Sequence, residues 1–145
     1  MQMLVRCLYA SRIKTPLMAS VLDEILDQSR KNNPKHGITG LLCHTHDSFV
    51  QVVEGGREPI SSLLRSIYLD DRHQQMTILS FEEITERRFG NWTMGRVNVE
   101  SINAAVLLKY SENTTLDPFT CSTHAMMSLL TELIATGSIV NRGTA

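Results

Sequence analysis

The side chains best suited to chemistry in this sequence are amides and a phenol rather than the usual acids, bases and nucleophiles. In SFVQVVEGG (48–56), Gln51 interrupts Phe49, Val50, Val52 and Val53, a run that otherwise suits a strand inside a sheet. A primary amide buried without partners costs roughly 1–3 kcal/mol, so Gln51 must be bonded to something. Tyr9 sits near the end of a strand-like stretch, QMLVRCLYA. Asn32 and Asn33 precede Pro34, with Ser29 one helical turn earlier, and Trp92 and Met94 lie in WTMGRVNV. Amides and phenols each offer both a donor and an acceptor. Taken singly, every one of these residues has an ordinary structural role. A buried tyrosine bonds a strand glutamine, asparagines end a helix before proline, methionine fills gaps and tryptophan anchors.

Other chemistries find little support. His36, His44, His46 and Asp47 could suggest a metal, but His44 and His46 flank a hairpin turn and are expected to be solvent-facing, so no metal site is predicted. HGITG and EGGREP contain glycines without a recognised phosphate-loop pattern, which argues against a small acylphosphatase-like hydrolase. Cys7, Cys43 and Cys121 show neither a CxxC pair nor a disulfide framework. The 14 basic and 15 acidic residues give a formal charge of −1, without the basic excess of a nucleic-acid binder. Apolar runs are too short for a membrane span, and the N-terminus is too short and strand-like for a signal peptide. A reduced, cytoplasmic protein is expected, with neither nucleic acid nor membrane as partner.

These residues need elements to position them. The apolar patterning predicts a first strand over 2–10, with Val5, Cys7 and Tyr9 on one face and Leu4 and Leu8 on the other. Ser20-Val21-Leu22-Asp23 has the form of a capping box opening a helix. That helix aligns Leu22, Ile25 and Leu26, then Ser29 and Asn33, and Asn32-Asn33-Pro34 ends it. Strands follow at roughly 38–44 and 48–54, the second broken by Gly55-Gly56. Pro59 marks a helix start with the stripe Ile60, Leu63, Leu64 and Ile67. A fourth strand is expected at 75–84 and a short fifth in WTMGRVNV. The order β-α-β-β-α-β-β predicts an α+β, ferredoxin-like sandwich with two helices on one face of a mixed sheet. The second face would stay apolar unless covered, and residues 122–137 supply a stripe of Ala125, Met126, Leu129, Leu130, Leu133 and Ile134. Residues 1–97 are thus expected to form the main unit and 98–145 a helical cap.

In that topology Tyr9 and Gln51 are neighbours on the face where the two helices pack. Together with Ser29 and Asn33 they describe an apolar slot into which amides turn. Such a slot suits a flat ligand with a donor/acceptor edge. An isoalloxazine ring has one, a C4 carbonyl beside N3–H, and Asn33 could serve both while Leu22, Ile25 and Leu26 lie against the ring.

The strings LYASR (8–12), SRKNNPKHGITGLL (29–42), FVQVVEGG (49–56), DDRH (70–73) and ERRFGNWTMG (86–95) resemble, in order and spacing, the BLUF family of blue-light sensors using flavin. The tail AVLLKYSENTTLDP is similar to short stand-alone members in which two helices follow the domain. The resemblance implies a blue-light photoreceptor rather than an enzyme, holding FAD non-covalently, with FMN or riboflavin also possible. It implies that Tyr9 is the flavin-adjacent tyrosine, giving an electron and a proton on excitation, and that Gln51 is the glutamine whose hydrogen bonds rearrange. The product would be a red-shifted signalling state. Asn33 would hold the C4=O/N3 edge, Asn32 would make a second polar contact, and Trp92 and Met94 would sense the glutamine. Arg30, Lys31 and Arg72 are candidates for phosphate or ring-edge contacts, and their alternative role is ordinary solvated charge. Output would pass by protein–protein contact to a response partner or within a homo-oligomer. A flavin-free interaction module is the remaining alternative.

Overall fold

A computed structural model describes residues 3–13 and 19–136 of the chain. Its strands are β1 (Leu4–Ile13), β2 (Thr39–His44), β3 (Ser48–Gly56), β4 (His73–Ile84) and β5 (Gly95–Asn98), and its α-helices are α1 (Ala19–Asn32), α2 (Arg57–Tyr68), α3 (Ala104–Tyr110) and α4 (Thr123–Ala135). The sheet order is β4-β1-β3-β2-β5. Every neighbouring pair is antiparallel except β2 and β5, so the sheet is mixed and the ferredoxin-like expectation holds.

Alternation along the central strands divides the core in two. Val5, Cys7, Phe49 and Val53 pack with Leu22 and Leu26 of α1 and Ile60 of α2. Leu8, Ala10, Val50 and Val52 face the other way, against Leu107 of α3 and Met126, Leu129, Leu130 and Leu133 of α4. The central strands β1, β2 and β3 are buried on both faces and so read as continuous apolar runs, whereas the edge strand β4 is largely exposed. α4 is capped by Ser122, whose side chain accepts from the Ala125 N–H, which is why the expected stripe begins there.

Several boundaries differ from expectation. Ser20 lies inside α1, so the capping-box motif does not open the helix, and the residue before Ala19 is outside the described residues. Gly55 and Gly56 do not break β3, because both pair with β1 opposite Val5 and Leu4. Pro59 falls in the first turn of α2 rather than at its first residue, and there its missing N–H has no intrahelical carbonyl to lose. β1 runs on to Ile13 and β4 starts at His73, whereas β5 holds only Gly95–Asn98, leaving Trp92 and Met94 outside it. α4 ends at Ala135, and residues 137–145 of the expected cap lie outside those described.

One glycine fixes how the strands meet. A Cβ on Gly40 would lie 2.1 Å from the Val52 carbonyl oxygen, so β2 can approach β3 this closely only with glycine there. The Gly40 N–H points the other way, donating to the Trp92 carbonyl at 3.0 Å. The sheet thereby takes hold of the segment between β4 and β5.

Candidate functional site

Tyr9 and Gln51 are directly opposite in the β1–β3 register, and Leu42 is opposite Gln51 on β2. Paired residues share a face, so all three point to the side of α1 and α2. They floor a cavity of about 550 Å³. Ile25, Ser29, Asn32 and Asn33 line it from α1 and the turn after it, and Pro59, Ser62, Leu63 and Ser66 line it from α2. Asp70, Arg72 and His73 close it between α2 and β4. The volume and the mixture of apolar walls with a few polar groups suit a single small molecule.

Polar contacts run through the floor. The Tyr9 hydroxyl donates to Gln51 Oε1. Gln51 Nε2 in turn donates to Met94 Sδ at 3.2 Å. All three side chains are buried. Burial, reinforced by Cys7 and Asp70, raises the Tyr9 pKa well above that of an ordinary phenol. Tyr9 therefore remains a protonated donor at working pH. The amide of Gln51 is held between a phenol that can donate or accept and a sulfur that accepts only weakly.

Asn33 is 3% exposed and begins a 3-10 turn (Asn33–His36) closed by Gly37 in the left-handed region, φ 66°. Its Nδ2 donates to the Thr93 carbonyl at 2.7 Å. An amide carries two N–H donors and a carbonyl, so this group retains a donor and an acceptor for the cavity it lines. That donor set fits the C4=O/N3–H edge of an isoalloxazine ring, and the sulfur, amide and phenol of the floor fit a neutral aromatic ring rather than an anion.

The remaining sequence-derived candidates divide. Ser29, Asn32 and Ile25 reach the cavity wall. Leu22 and Leu26 do not line it, because the middle of the helical stripe is spent on packing against Val5, Phe49 and Val53. Arg30 is also absent from the lining, and its Nε donates to the Met94 carbonyl at 3.1 Å. Arg72 lines the cavity, but its guanidinium is bound to Asp70 at 2.6 Å, Glu24 at 3.5 Å and Gln28 at 3.0 Å. Arg72 therefore straps α1 to the turn after α2, and its hydrogen bonds hold the Asp70 carboxyl below the usual range. Met94 belongs to the core on the cavity side, whereas Trp92 lies in the opposite core with Leu129, Leu130 and Leu133. The segment carrying both crosses from one layer to the other.

Sequence reasoning missed His73, Asp70 and Ser62. His73 pairs with Ser11 Oγ at 2.8 Å and stands against the Phe49 ring, and burial lowers its pKa. The string DDRH marked the place, but only a tertiary fold says that it closes this cavity. His44 is a correction: the last residue of β2, it is buried rather than solvent-facing, because alternation sets it on the Leu42 face opposite Phe49. Among the described residues there is no cluster able to hold a metal ion.

A family model described as BLUF, sensors of blue-light using FAD, matches residues 4–95. The chain belongs to the BLUF family. The match spans the five-stranded sheet as far as the first residue of β5, with α1, α2 and the cavity between them. Among curated BLUF relatives, the photoactivated adenylate cyclase subunit beta of Euglena longa is 29% identical over 106 residues, 72% of this chain. The chain spans only 12% of that protein's length. Two solved structures match over nearly their whole length. The dark-state structure of the BLUF protein BlrB has a TM-score of 0.79 at 31% identity, covering 94% of this chain and 98% of its own. The photo-activated state of BlsA has a TM-score of 0.80 at 30% identity, covering 90% and 94%. Both extend past the family match, so the likeness includes α3 and α4.

Proposed function

We propose that this BLUF chain is a blue-light photoreceptor in which Gln51 is the switch. The observation that carries this reading is the row Tyr9–Gln51–Met94 in the cavity floor, with the amide between a phenol and a thioether. A bound flavin supplies the blue-light absorption and, when excited, the oxidising power. Asn33 and Asn32 would hold its edge, with Ser29 and Ile25, which line the same cavity, along its side. On excitation Tyr9 would give one electron to the flavin while its proton passes to Oε1 of Gln51, the atom that already accepts from the phenol. Both would return to Tyr9, so that only the hydrogen bonds of the amide differ afterwards; burial keeps Tyr9 a protonated phenol before and after. The amide has two stable ways to sit. Its carbonyl accepts from the phenol in the first, and in the second its NH₂ donates to the phenol oxygen. Exchanging them rearranges the hydrogen bonds at the cavity edge with no change in the chain's charge.

FAD is the flavin we assign, as the family description suggests. FMN and riboflavin share the ring that the cavity recognises, and Arg72 is already paired with acidic partners rather than set aside for phosphate. We divide the chain at 97/98 into a sensory unit and a helical cap. Output passes through the segment bearing Trp92 and Met94 to α3 and α4, and from there to a partner protein or to a second copy. Residues 1–145 carry out no substrate turnover in this reading, and the buried thiols Cys7 and Cys43 suit the reducing cytoplasm. Among the described residues no helix is long and apolar enough to cross a membrane.

The test is optical. Purified protein given FAD should turn yellow and show a reversible red shift under blue light. Tyr9→Phe and Gln51→Leu should keep the flavin and lose the shift. A protein that takes up neither FAD, FMN nor riboflavin overturns the reading, and a normal photocycle in either variant overturns the assigned roles.

A further inference from the structure

β5 joins the ladder only at Gly95, opposite Leu41, so residues 92–94 lie outside the strand pairing. Their three consecutive carbonyls are nevertheless all taken. Trp92 O accepts from the Gly40 N–H at 3.0 Å, Thr93 O from Asn33 Nδ2 at 2.7 Å, and Met94 O from Arg30 Nε at 3.1 Å. Two of these three donors are side chains from the C-terminal end of α1 and the turn that follows it. Met94 Sδ is a weak acceptor and cannot hold its own place against Gln51, so its position follows from the backbone that carries it. A guanidinium donating to a carbonyl is a charge-assisted bond, stronger than a neutral one.

We propose that Arg30 is a positioning residue for Met94: it holds the Met94 carbonyl, and through it the sulfur, in place to receive the NH₂ end of Gln51. In this arrangement Arg30 sets which end of the Gln51 amide faces Tyr9, without touching the cavity. Asn33 shares the task, but it lines the cavity as well, so Arg30 is the side chain on which positioning can be separated from ligand binding. The proposal deepens the photoreceptor reading and rests on it for the optical consequence alone.

Met94–Gly95 is the single Met-Gly pair in the sequence. Carbonyl-labelled methionine with nitrogen-labelled glycine therefore gives one filtered amide resonance, that of Gly95, in protein with or without flavin. In flavin-free protein, Arg30→Ala should displace or broaden this resonance, and Arg30→Lys, which keeps a charged donor, should restore it. An unmoved resonance in Arg30→Ala overturns the proposal. Arg30→Gln, shorter and uncharged, serves if the alanine variant does not fold; the same displacement is expected, and an unmoved resonance again overturns the proposal. In flavin-loaded protein, Arg30→Ala should change the dark-recovery rate about threefold or more with Met94 present, and less than about 1.5-fold in a Met94→Ala background, the non-additivity of groups acting as a unit. Equal factors in both backgrounds overturn the proposal. If the unsubstituted chain takes up no flavin, the photoreceptor reading fails, and the Gly95 resonance still decides the role of Arg30.

Discussion

The segment that carries Trp92 and Met94 is anchored by a buried ion pair, and replacing Glu54 with glutamine should show how strongly. Glu54 is fully buried. Its carboxylate accepts from Arg6 Nε at 2.8 Å and Nη2 at 2.7 Å, from the Phe89 N–H at 2.6 Å and from the Arg88 N–H at 3.0 Å. Arg87 adds bonds to the carbonyls of Glu54 and Gly37. Glutamine keeps the shape and one acceptor oxygen, so the bonds to Phe89 and Arg88 survive. Its NH₂ then opposes the Arg6 guanidinium, donor against donor, and a side chain only 10% exposed loses its buried counter-charge. Breaking a buried pair from one side costs about 3–5 kcal/mol. Arg6 keeps a second, half-exposed partner in Glu82 at 3.1 Å, which places this case near the lower end, at about 3 kcal/mol. For a chain of this size that corresponds to a Tm lower by roughly 10 °C. Urea denaturation of Glu54→Gln, with flavin omitted, should show a lower midpoint at unchanged slope. Flavin affinity of the folded variant should change little, since Glu54 does not line the cavity. A loss below about 1 kcal/mol would refute the claim that the buried Arg6–Glu54 charge pair holds this carboxylate in place under Arg88 and Phe89.

Two further predictions concern the cavity side of the sheet. His44 is held neutral, its pKa lowered from 6.5 to about 4 by burial first and then by Arg96, whose Nε donates to His44 Nε2 at 3.1 Å. The unfolded chain binds a proton below pH 6.5 that the folded chain refuses, so the stability present above pH 6.5 is lost as pH falls towards 4. The whole shift is worth about 3 kcal/mol, reduced to about 2 kcal/mol by solvent screening at the strand end. Urea midpoints of His44→Gln between pH 7 and 4.5 should fall less steeply than those of the parent, and parallel curves would contradict the assignment. Asn33→Ala should raise the flavin dissociation constant roughly tenfold or more, from two hydrogen bonds of about 1 kcal/mol each. Flavin titration followed by fluorescence quenching measures this, and an unaltered constant would remove Asn33 from the binding edge.

What the sequence revealed of this site follows from which forces are local. Tyr9 and Gln51 can be paired from the sequence, because period-two alternation assigns each strand residue a face and the ferredoxin-like order makes β1 and β3 neighbours. Ser29 can be placed by helical spacing alone, whereas Asn33 reaches the same cavity from the 3-10 turn that follows α1. Leu22 and Leu26 share that stripe, yet they do not reach the cavity, since only the neighbours above decide which part of a stripe is covered. His73 and Asp70 lie in a recognised string, but their roles depend on a turn that brings them over Ser11 and Phe49, far away in sequence. Trp92 and Met94 are two residues apart and would share a face in a strand, which is how the pattern WTMGRVNV reads. They instead enter opposite cores because the backbone there is not in the ladder. Its carbonyls are held by Gly40, Asn33 and Arg30, and the approach to it is fixed by Glu54. None of these partners leaves a periodic trace. The same non-local bonds that hide the segment from sequence reasoning connect it to both layers. Met94 meets Gln51 on one side while Trp92 packs beneath α4 on the other, so in the proposed output a change in the amide would reach the helical cap through two side chains on one short, unladdered stretch of chain.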